Sequence, residues 1–525
     1  MKIVWRLGIV LLYPLLIKVP PNTCSLSYTA AVVEYTPIYK SDEQVNIANL
    51  NTKHYIKIIE KAVEYSVDIL IFPESSLSIS NSKNLTVRRS EAASYIPDPQ
   101  DKIVPCNDAN NYPDSLKNIS CAALKHKLYI VINHREKFDC VGDNCSDDGL
   151  LIYNTNVVFN RNGEVIARYR KYNLFGELDT NRTLEPIIST FETDFGVTFG
   201  QIICFDIMFK TPTLNLVHDL GIRDIIFSSH WYSEMPYLYS VQLQASWAFA
   251  NDINLLSSGY NNPKTASGGS GIYIGRNGYV KIILENKRSN VLFVSEVPKV
   301  IDGKRLLNIN AERVKIYNFS KSEISTTEPD VYEKYFHLID DLNPYTTELI
   351  NTESRLSSYE KTICDRNVCC ELKLKFQFHK STANKSSSNY YRYRAAVFNG
   401  TRTFSGFATG GVTVCGIISC INNTLRSCGK IFDQNVYADA STTFQSINIS
   451  MKNIDSQNNI IMPISIAKNM LPLNVTDFTF QSVNLKNTTT YNMNLQNPRD
   501  DLLTFSIYGR NFDLDSLNKT GIDSK

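Results

Sequence analysis

Three residues of unlike chemistry each stand at the end of a predicted strand. Asp68-Ile69-Leu70-Ile71-Phe72-Pro73-Glu74 delivers a carboxylate, Tyr169-Arg170-Lys171 an ammonium, and Phe199-Gly200-Gln201-Ile202-Ile203-Cys204 a thiol. A base, a cation that steadies developing negative charge and a nucleophile are what amide hydrolysis through a covalent intermediate needs. Taken singly, each has an ordinary reading: Glu74 as a solvated loop acid or helix cap, Lys171 as a surface cation, Cys204 as an inert packing thiol. Cys204 is set apart because the residues after it can start a helix. A thiol near a helix N-terminus and a cation is expected to have a lowered pKa, and only the thiolate attacks.

The elements that must position these groups alternate between strand and helix from residue 28 to about 300. Apolar runs suited to buried strands include Thr29–Val33, Asp68–Phe72, Leu128–Ile132, Leu151–Phe159, Val197–Ile203, Asp224–Ser228 and Asn254–Ser258. Ile47, Leu50, His54, Ile58 and Ala62 recur at helical spacing; a second helix is expected over Tyr237–Ala250, and Thr211 is expected to cap a third carrying Leu214 and Val217. Asn160-Arg161-Asn162-Gly163 predicts a tight reversal before the Lys171 segment. This alternation implies an α/β fold with a central sheet covered by helices, where reactive residues gather at strand ends. From about residue 306 to 525 the texture becomes Gly-, Asn-, Ser- and Thr-rich, with strand-like runs such as Glu371–Phe378 and Tyr390–Phe398, and most of the remaining cysteines. A smaller, β-rich, disulfide-stapled second domain is expected there.

Lys2 and Arg6 precede an apolar stretch, Leu7–Ile17, that ends before Pro20, Pro21 and small residues. This reads as a signal peptide over residues 1–25, too short to span a bilayer, which takes about 20 apolar residues. The chain carries twelve Asn-x-Ser/Thr sites, at Asn84, Asn118, Asn144, Asn181, Asn318, Asn384, Asn399, Asn422, Asn448, Asn474, Asn487 and Asn518, so N-linked glycans are expected. Of the 12 cysteines, Cys24 falls in the leader; with Cys204 set aside, ten remain for up to five disulfides, which suits an oxidising compartment. Formal net charge is only +2 without a long basic run, which argues against a nucleic-acid partner. The polar end, Asp513–Lys525, shows neither a membrane span nor a glycolipid-anchor signal, so a soluble, extracellular protein is expected.

In this chain order, each after its own strand, Phe-Pro-Glu74, Lys171 and Cys204 resemble the Glu–Lys–Cys triad of the nitrilase superfamily of carbon–nitrogen hydrolases. The resemblance covers residues 28–300 and implies an αββα sandwich with Glu74 as general base (proton acceptor), Lys171 as the lysine, a proton donor and oxyanion stabiliser, and Cys204 as nucleophile. Glu177, in Leu174-Phe175-Gly176-Glu177, falls where many members keep a second glutamate that positions substrate or the lysine. Cys204-Phe205-Asp206-Ile207-Met208-Phe209, Ala245-Ser246-Trp247-Ala248 and Ser270-Gly271-Ile272-Tyr273 are similar to strings of the biotinidase–vanin branch. That branch implies a secreted glycoprotein with an extra C-terminal domain, a monomer-like state, no cofactor, and a small-molecule amide as substrate: pantetheine, cleaved to pantothenate and cysteamine, ahead of biocytin or biotinyl peptides. Vertebrate vanins usually end in a glycolipid-anchor signal, from which this sequence departs.

Two other classes compete. A binding glycoprotein on the same fold would not need all three chemical groups. A papain-like protease would need a Cys-Gly-Ser-Cys-Trp-like context that Cys204 lacks. His134 and His230 end apolar runs, where they either line a pocket near the triad or, as expected, are structural and hydrogen-bonded to loops; Trp231 and Tyr232 are expected at the rim of a core or pocket. Cys364, Cys369 and Cys370 have metal-like spacing, but disulfides suit a secreted chain better. The seven histidines show no His-x-x-x-His spacing with a nearby acid, so no metal is expected.

Overall fold

The computed structural model describes residues 25–38, 47–78, 89, 92–108, 111–308, 311–324, 337–354, 356–380, 389–433, 436, 438–454, 458–485 and 488–517. The expected leader, apart from Ser25, and the sites at Asn84, Asn384, Asn487 and Asn518 lie outside these residues.

Strands β1 (Ser27–Glu34), β2 (Ile69–Ile71), β3 (Ala93–Ser94), β4 (Tyr129–Asp139), β5 (Leu150–Phe159) and β6 (Val165–Arg170) build one side of a first sheet. Strands β7 (Thr190–Glu192), β8 (Thr198–Ile203), β9 (Asp224–Ser229), β11 (Asn254–Gly259), β12 (Ser270–Ile274) and β13 (Tyr279–Ile283) form a second, in the order β13-β12-β11-β9-β8-β7; β10 is the short Glu234–Met235. The first sheet is completed by β14 (Val291–Pro298), antiparallel to β1, and by Lys315–Asn318 beyond it. Helices α1 (Ile47–Val63), α2 (Asp114–His126) and α3 (Ser240–Asn251) cover the outer faces.

The two-residue period of each strand explains the layering. In β1, Ala30 and Val32 point into the core between the sheets, where they meet Phe199, Ile226 and Leu256; Ala31 and Val33 point outward to Tyr55, Ile58 and Leu116 of α1 and α2. In the second sheet, Ile225 and Leu255 face outward onto Val241 and Trp247 of α3. This is an αββα sandwich. Both faces of each sheet are buried, which is why its strands read as near-continuous apolar runs.

The observed strands match the expected ones to within a few residues at most ends, β4 running further than its apolar stretch. The helix expected after Thr211 forms, but short: residues 213–214 are α-helical and Asn215–Asp219 π-helical, and it carries Leu214 and Val217. Gly221, in the left-handed region at φ 68°, stops it there. The reversal between β5 and β6 forms as expected: Gly163 takes φ 73° and its N–H bonds Asn160 O at 2.9 Å.

The C-terminal strands form two five-stranded sheets packed face to face. Thr346–Ile350, Arg392–Phe404, Ala408–Cys420, Leu502–Leu517 and Asn459–Ala467 make the inner one, and Ser358–Asp365, Val368–Lys380, Ala440–Ile454, Thr488–Leu495 and Phe478–Leu485 the outer. The inner sheet lays its Asn459–Ala467 strand along α3 and joins Val412, Val414, Ile464 and Tyr508 to one continuous core with the second sheet of the sandwich. All ten expected cysteines pair, as Cys106–Cys121, Cys140–Cys145, Cys364–Cys369, Cys370–Cys415 and Cys420–Cys428, and Cys204 alone is free among the described cysteines. The Cys364, Cys369 and Cys370 cluster is thus two disulfides, one of which, Cys370–Cys415, staples the two C-terminal sheets together. Among the described residues no helix is long and apolar enough to cross a membrane.

At the end of β1, wholly buried Glu34 accepts from the Gly269 N–H at 3.0 Å and from the Ser270 hydroxyl and Asn261 amide, so it latches the loop before β12. Burial pushes its carboxyl up from 4.5 to about 7. The folded state therefore favours the protonated form: this stabilisation is full below 4.5 and fades as pH rises through 7. Glu34→Gln has no such proton, so raising the pH from 4.5 to 7 is expected to cost the wild type about 3 kcal/mol relative to the variant. Melting both proteins at the two pH values checks this, and a pH-independent gap between them would contradict it.

Candidate active site

Strand geometry brings the chemistry together. β1, β2 and β4 run parallel, as do β8, β9 and β11, and a parallel bridge between Tyr35 and Tyr260 joins the two sheets at their carboxyl ends. Glu74 follows β2, Lys171 follows β6, Cys204 follows β8 and His230 follows β9, so all four reach the same end of the sandwich.

Lys171 is 1% exposed, and its Nζ donates to Glu74 Oε1 at 2.8 Å and to Glu177 Oε1 at 2.6 Å. Asn154 Nδ2 donates to the same two oxygens, at 2.7 and 3.1 Å. The other oxygen of Glu74 accepts the backbone N–H of His230 at 2.7 Å, while Glu177 Oε2 is buried without a hydrogen-bond partner. Asn154 is itself held by Asn133, which also catches the Ser75 N–H at 2.8 Å, where the chain turns through φ 51° just after Glu74. The sequence reading missed both asparagines. Their signal was the polar break in otherwise apolar strands, at Asn133 and at Asn154-Thr155-Asn156.

Cys204 sits 5% exposed at a sharp exit from β8, in the left-handed region at φ 46°. Such a conformation costs a non-glycine residue about 1–2 kcal/mol, so its surroundings must hold it. Asp206, two residues on and fully buried, does so. One carboxylate oxygen accepts Ile203 N–H at 3.0 Å and the Tyr169 hydroxyl at 2.8 Å, and the other accepts the backbone and side-chain N–H groups of Asn173. Tyr169 and Asn173 flank Lys171, so one carboxylate ties the thiol's turn to the lysine's loop. Arg510, from the C-terminal domain and 1% exposed, donates from Nε to Met208 O at 3.0 Å and pairs with Asp515 at 2.8 Å, clamping the far end of the same turn.

The electrostatics correct the expected lowered thiol pKa. The helix start after Cys204 is only the five-residue turn Cys204–Met208. Burial, then the Glu74 charge, push the thiol well above its ordinary value, and Lys171 and the His230 N–H offset this only in part. Burial opposes the Lys171 ammonium, but Glu177, Glu74 and Cys204 together keep it charged. Burial also raises both carboxyls; Lys171 wins at Glu74, whose pKa is lowered, whereas burial and the Glu74 charge win at Glu177, whose pKa is raised. The resting cluster is a thiol, an ammonium and an ionised Glu74.

These groups open on a cleft of about 390 Å³ that Ser75, Ser78, Arg135, His230, Tyr232 and Tyr260 also line. His230 stacks on Tyr260 at 3.9 Å, and burial lowers its pKa to about 4, so its ring is neutral at pH 7. His134 lies away from this lining, buried with Nδ1 2.9 Å from Arg135 O, in a structural role.

Comparison with known proteins agrees with the two-part architecture. Residues 29–270 match the carbon–nitrogen hydrolase family and residues 335–515 the vanin C-terminal domain. The chain is 32% identical to vanin-like protein 1 of Drosophila melanogaster, a match spanning 97% of this chain and 91% of that one. It is 30% identical to a biotinidase of Takifugu rubripes over 81% of this chain and 86% of the relative, and 28% identical to human pantetheinase over 83% and 81%. The protein is a hydrolase of non-peptide carbon–nitrogen bonds in amides. With relatedness of that extent along nearly the whole sequence, the chain belongs to the vanin-like carbon–nitrogen hydrolases.

Proposed function

We propose that the protein hydrolyses a linear amide through a Cys204 thioester, with Glu74 as base, Lys171 as charge stabiliser and Glu177 as support for the lysine. The observation that carries this reading is one ammonium holding two carboxylates beside a buried, unpaired thiol. Because the resting thiol is protonated, Glu74 takes its proton as sulfur attacks the carbonyl carbon. The oxyanion forms beside Lys171 and backbone N–H groups of the turn after Cys204; such donors are worth about 3–4 kcal/mol each. When the C–N bond breaks, the proton on Glu74 passes to nitrogen and the amine leaves. Glu74 then takes a proton from water, whose oxygen attacks the thioester, and the acid departs as the proton returns to sulfur.

Pantetheine, giving pantothenate and cysteamine, is the preferred substrate; similarity to pantetheinases supports this. A biotin amide is the second reading, supported by comparable similarity to the Takifugu rubripes biotinidase. We also read the protein as secreted and glycosylated. Five disulfides support an oxidising compartment. Exposed acceptor sites at Asn118, Asn144, Asn318, Asn422, Asn448 and Asn474 support glycans. Asn181 is excluded from that set, since its buried amide bonds Arg89 and Ile152.

Amine release from pantetheine and from biocytin by the purified protein tests the substrate. Pantetheine turnover with biocytin at least tenfold poorer is the expected result. The reverse order transfers the assignment to biotin amides, and hydrolysis of neither removes both.

A further inference from the structure

Cys204 stands on the wall shared by two cavities of very different character. One is the polar cleft of about 390 Å³; the other is a slot of about 30 Å³. Phe175 and Tyr232 line both, so the two adjoin beside the thiol. The slot's hydrolase side is Phe205, Trp231 and Leu238, and its opposite side, Leu338 and Phe404, belongs to the C-terminal domain.

Those walls are fixed. Phe205 packs edge-on against Phe175 at 4.9 Å and against Phe404 at 5.8 Å. Beyond Phe404 the hairpin turn sets Phe407 against Phe175 at 4.9 Å and over Gly176, where a Cβ would come within 2.4 Å of the Phe407 ring. Before Phe404, Arg402 binds Glu234 and, at 3.1 Å, Asp340. Glu234 is the slot's charged residue, so this pairing leaves a lining that is apolar apart from Cys204, Tyr232 and Ser405. A single water needs some 10–15 Å³ measured this way. The slot therefore has room for a slender chain of a few atoms and none for a branch or a ring.

Resting on the amide-hydrolase reading above, we propose that this slot takes the amine arm of the scissile amide while the polar cleft holds the larger acyl arm. The C-terminal domain then sets leaving-group specificity by supplying one wall of the catalytic centre. Short, unbranched, uncharged amines fit. The longer, charged side chain of a lysine amide does not, which separates pantetheine from biocytin on the leaving-group side.

The test uses the full chain with two acyl series, pantothenoyl and biotinyl amides, each of ethylamine, 2-mercaptoethylamine, butylamine and tert-butylamine. Within whichever series is cleaved, kcat/KM is expected to fall at least about tenfold from ethyl to tert-butyl. Phe404→Ala is expected to raise the tert-butyl to ethyl ratio about tenfold, and Leu338→Trp to lower the butyl to ethyl ratio by a similar factor. Leu338 is only half-buried, so that variant reads the slot even where removing the buried Phe404 ring harms folding. Indifference of the wild type to branching, or variants that alter acyl preference with an unchanged amine profile, would overturn the proposal. Cleavage confined to biotinyl amides with the branching penalty intact would remove the pantetheine assignment and leave the slot standing.

Discussion

Cys204→Ala is expected to lose at least about 10⁴-fold in kcat while folding normally, because it removes the atom that forms the proposed intermediate and little else. The turn survives: Asp206 makes its bonds to Ile203, Tyr169 and Asn173 without involving the thiol. Mass spectrometry of enzyme quenched during turnover should show an acyl adduct on wild-type Cys204 and none in the variant. Residual turnover within tenfold of wild type would mean that another group attacks. Cys204→Ser should be almost as poor. Its hydroxyl is harder to deprotonate, and Glu74 is held ionised by Lys171, which makes it a weak base for that task.

Lys171→Met is the second large effect, and it reads stability as well as rate. The variant leaves the buried Glu74 and the partly buried Glu177 side by side with no cation between them. Breaking a buried pair by removing one partner typically costs 3–5 kcal/mol, and one carboxyl would have to take up a proton. Denaturant unfolding should therefore show a loss of about 3–5 kcal/mol together with loss of turnover. Adding Glu177→Gln removes one uncompensated carboxylate and should restore part of the stability but none of the activity. A Lys171→Met protein as stable as wild type would show that the ammonium is not what balances the two acids.

The same residues show what a sequence can and cannot make legible. Glu74, Lys171 and Cys204 were picked out because each ends a predicted strand and the three together resemble a family triad, and strand ends meet at one edge of an α/β sandwich. Asn154 and Asn133 were not, because a polar residue inside a strand gains its meaning from the neighbouring strand's register; Asn133 lies opposite Asn156 on β5. The direction of the thiol's pKa was misread because desolvation depends on how deep the strand end lies. Cysteine parity isolated Cys204, but the pairing waited on the fold: Cys370 and Cys415 lie 45 residues apart and meet only when the two C-terminal sheets stack. Phe404 and Arg510 carry no local signal at all. Their roles exist only because the inner C-terminal sheet covers α3.

That cover has a consequence for concentration. The outer face of α3 is apolar, and a hydrolase whose helix face is covered by another subunit holds its active shape only above the dissociation constant of the contact. Here the covering sheet is tethered on the same chain and carries Arg510 to the Cys204–Met208 turn. The contact between Arg510 and the Met208 carbonyl therefore forms within one chain, whatever its concentration.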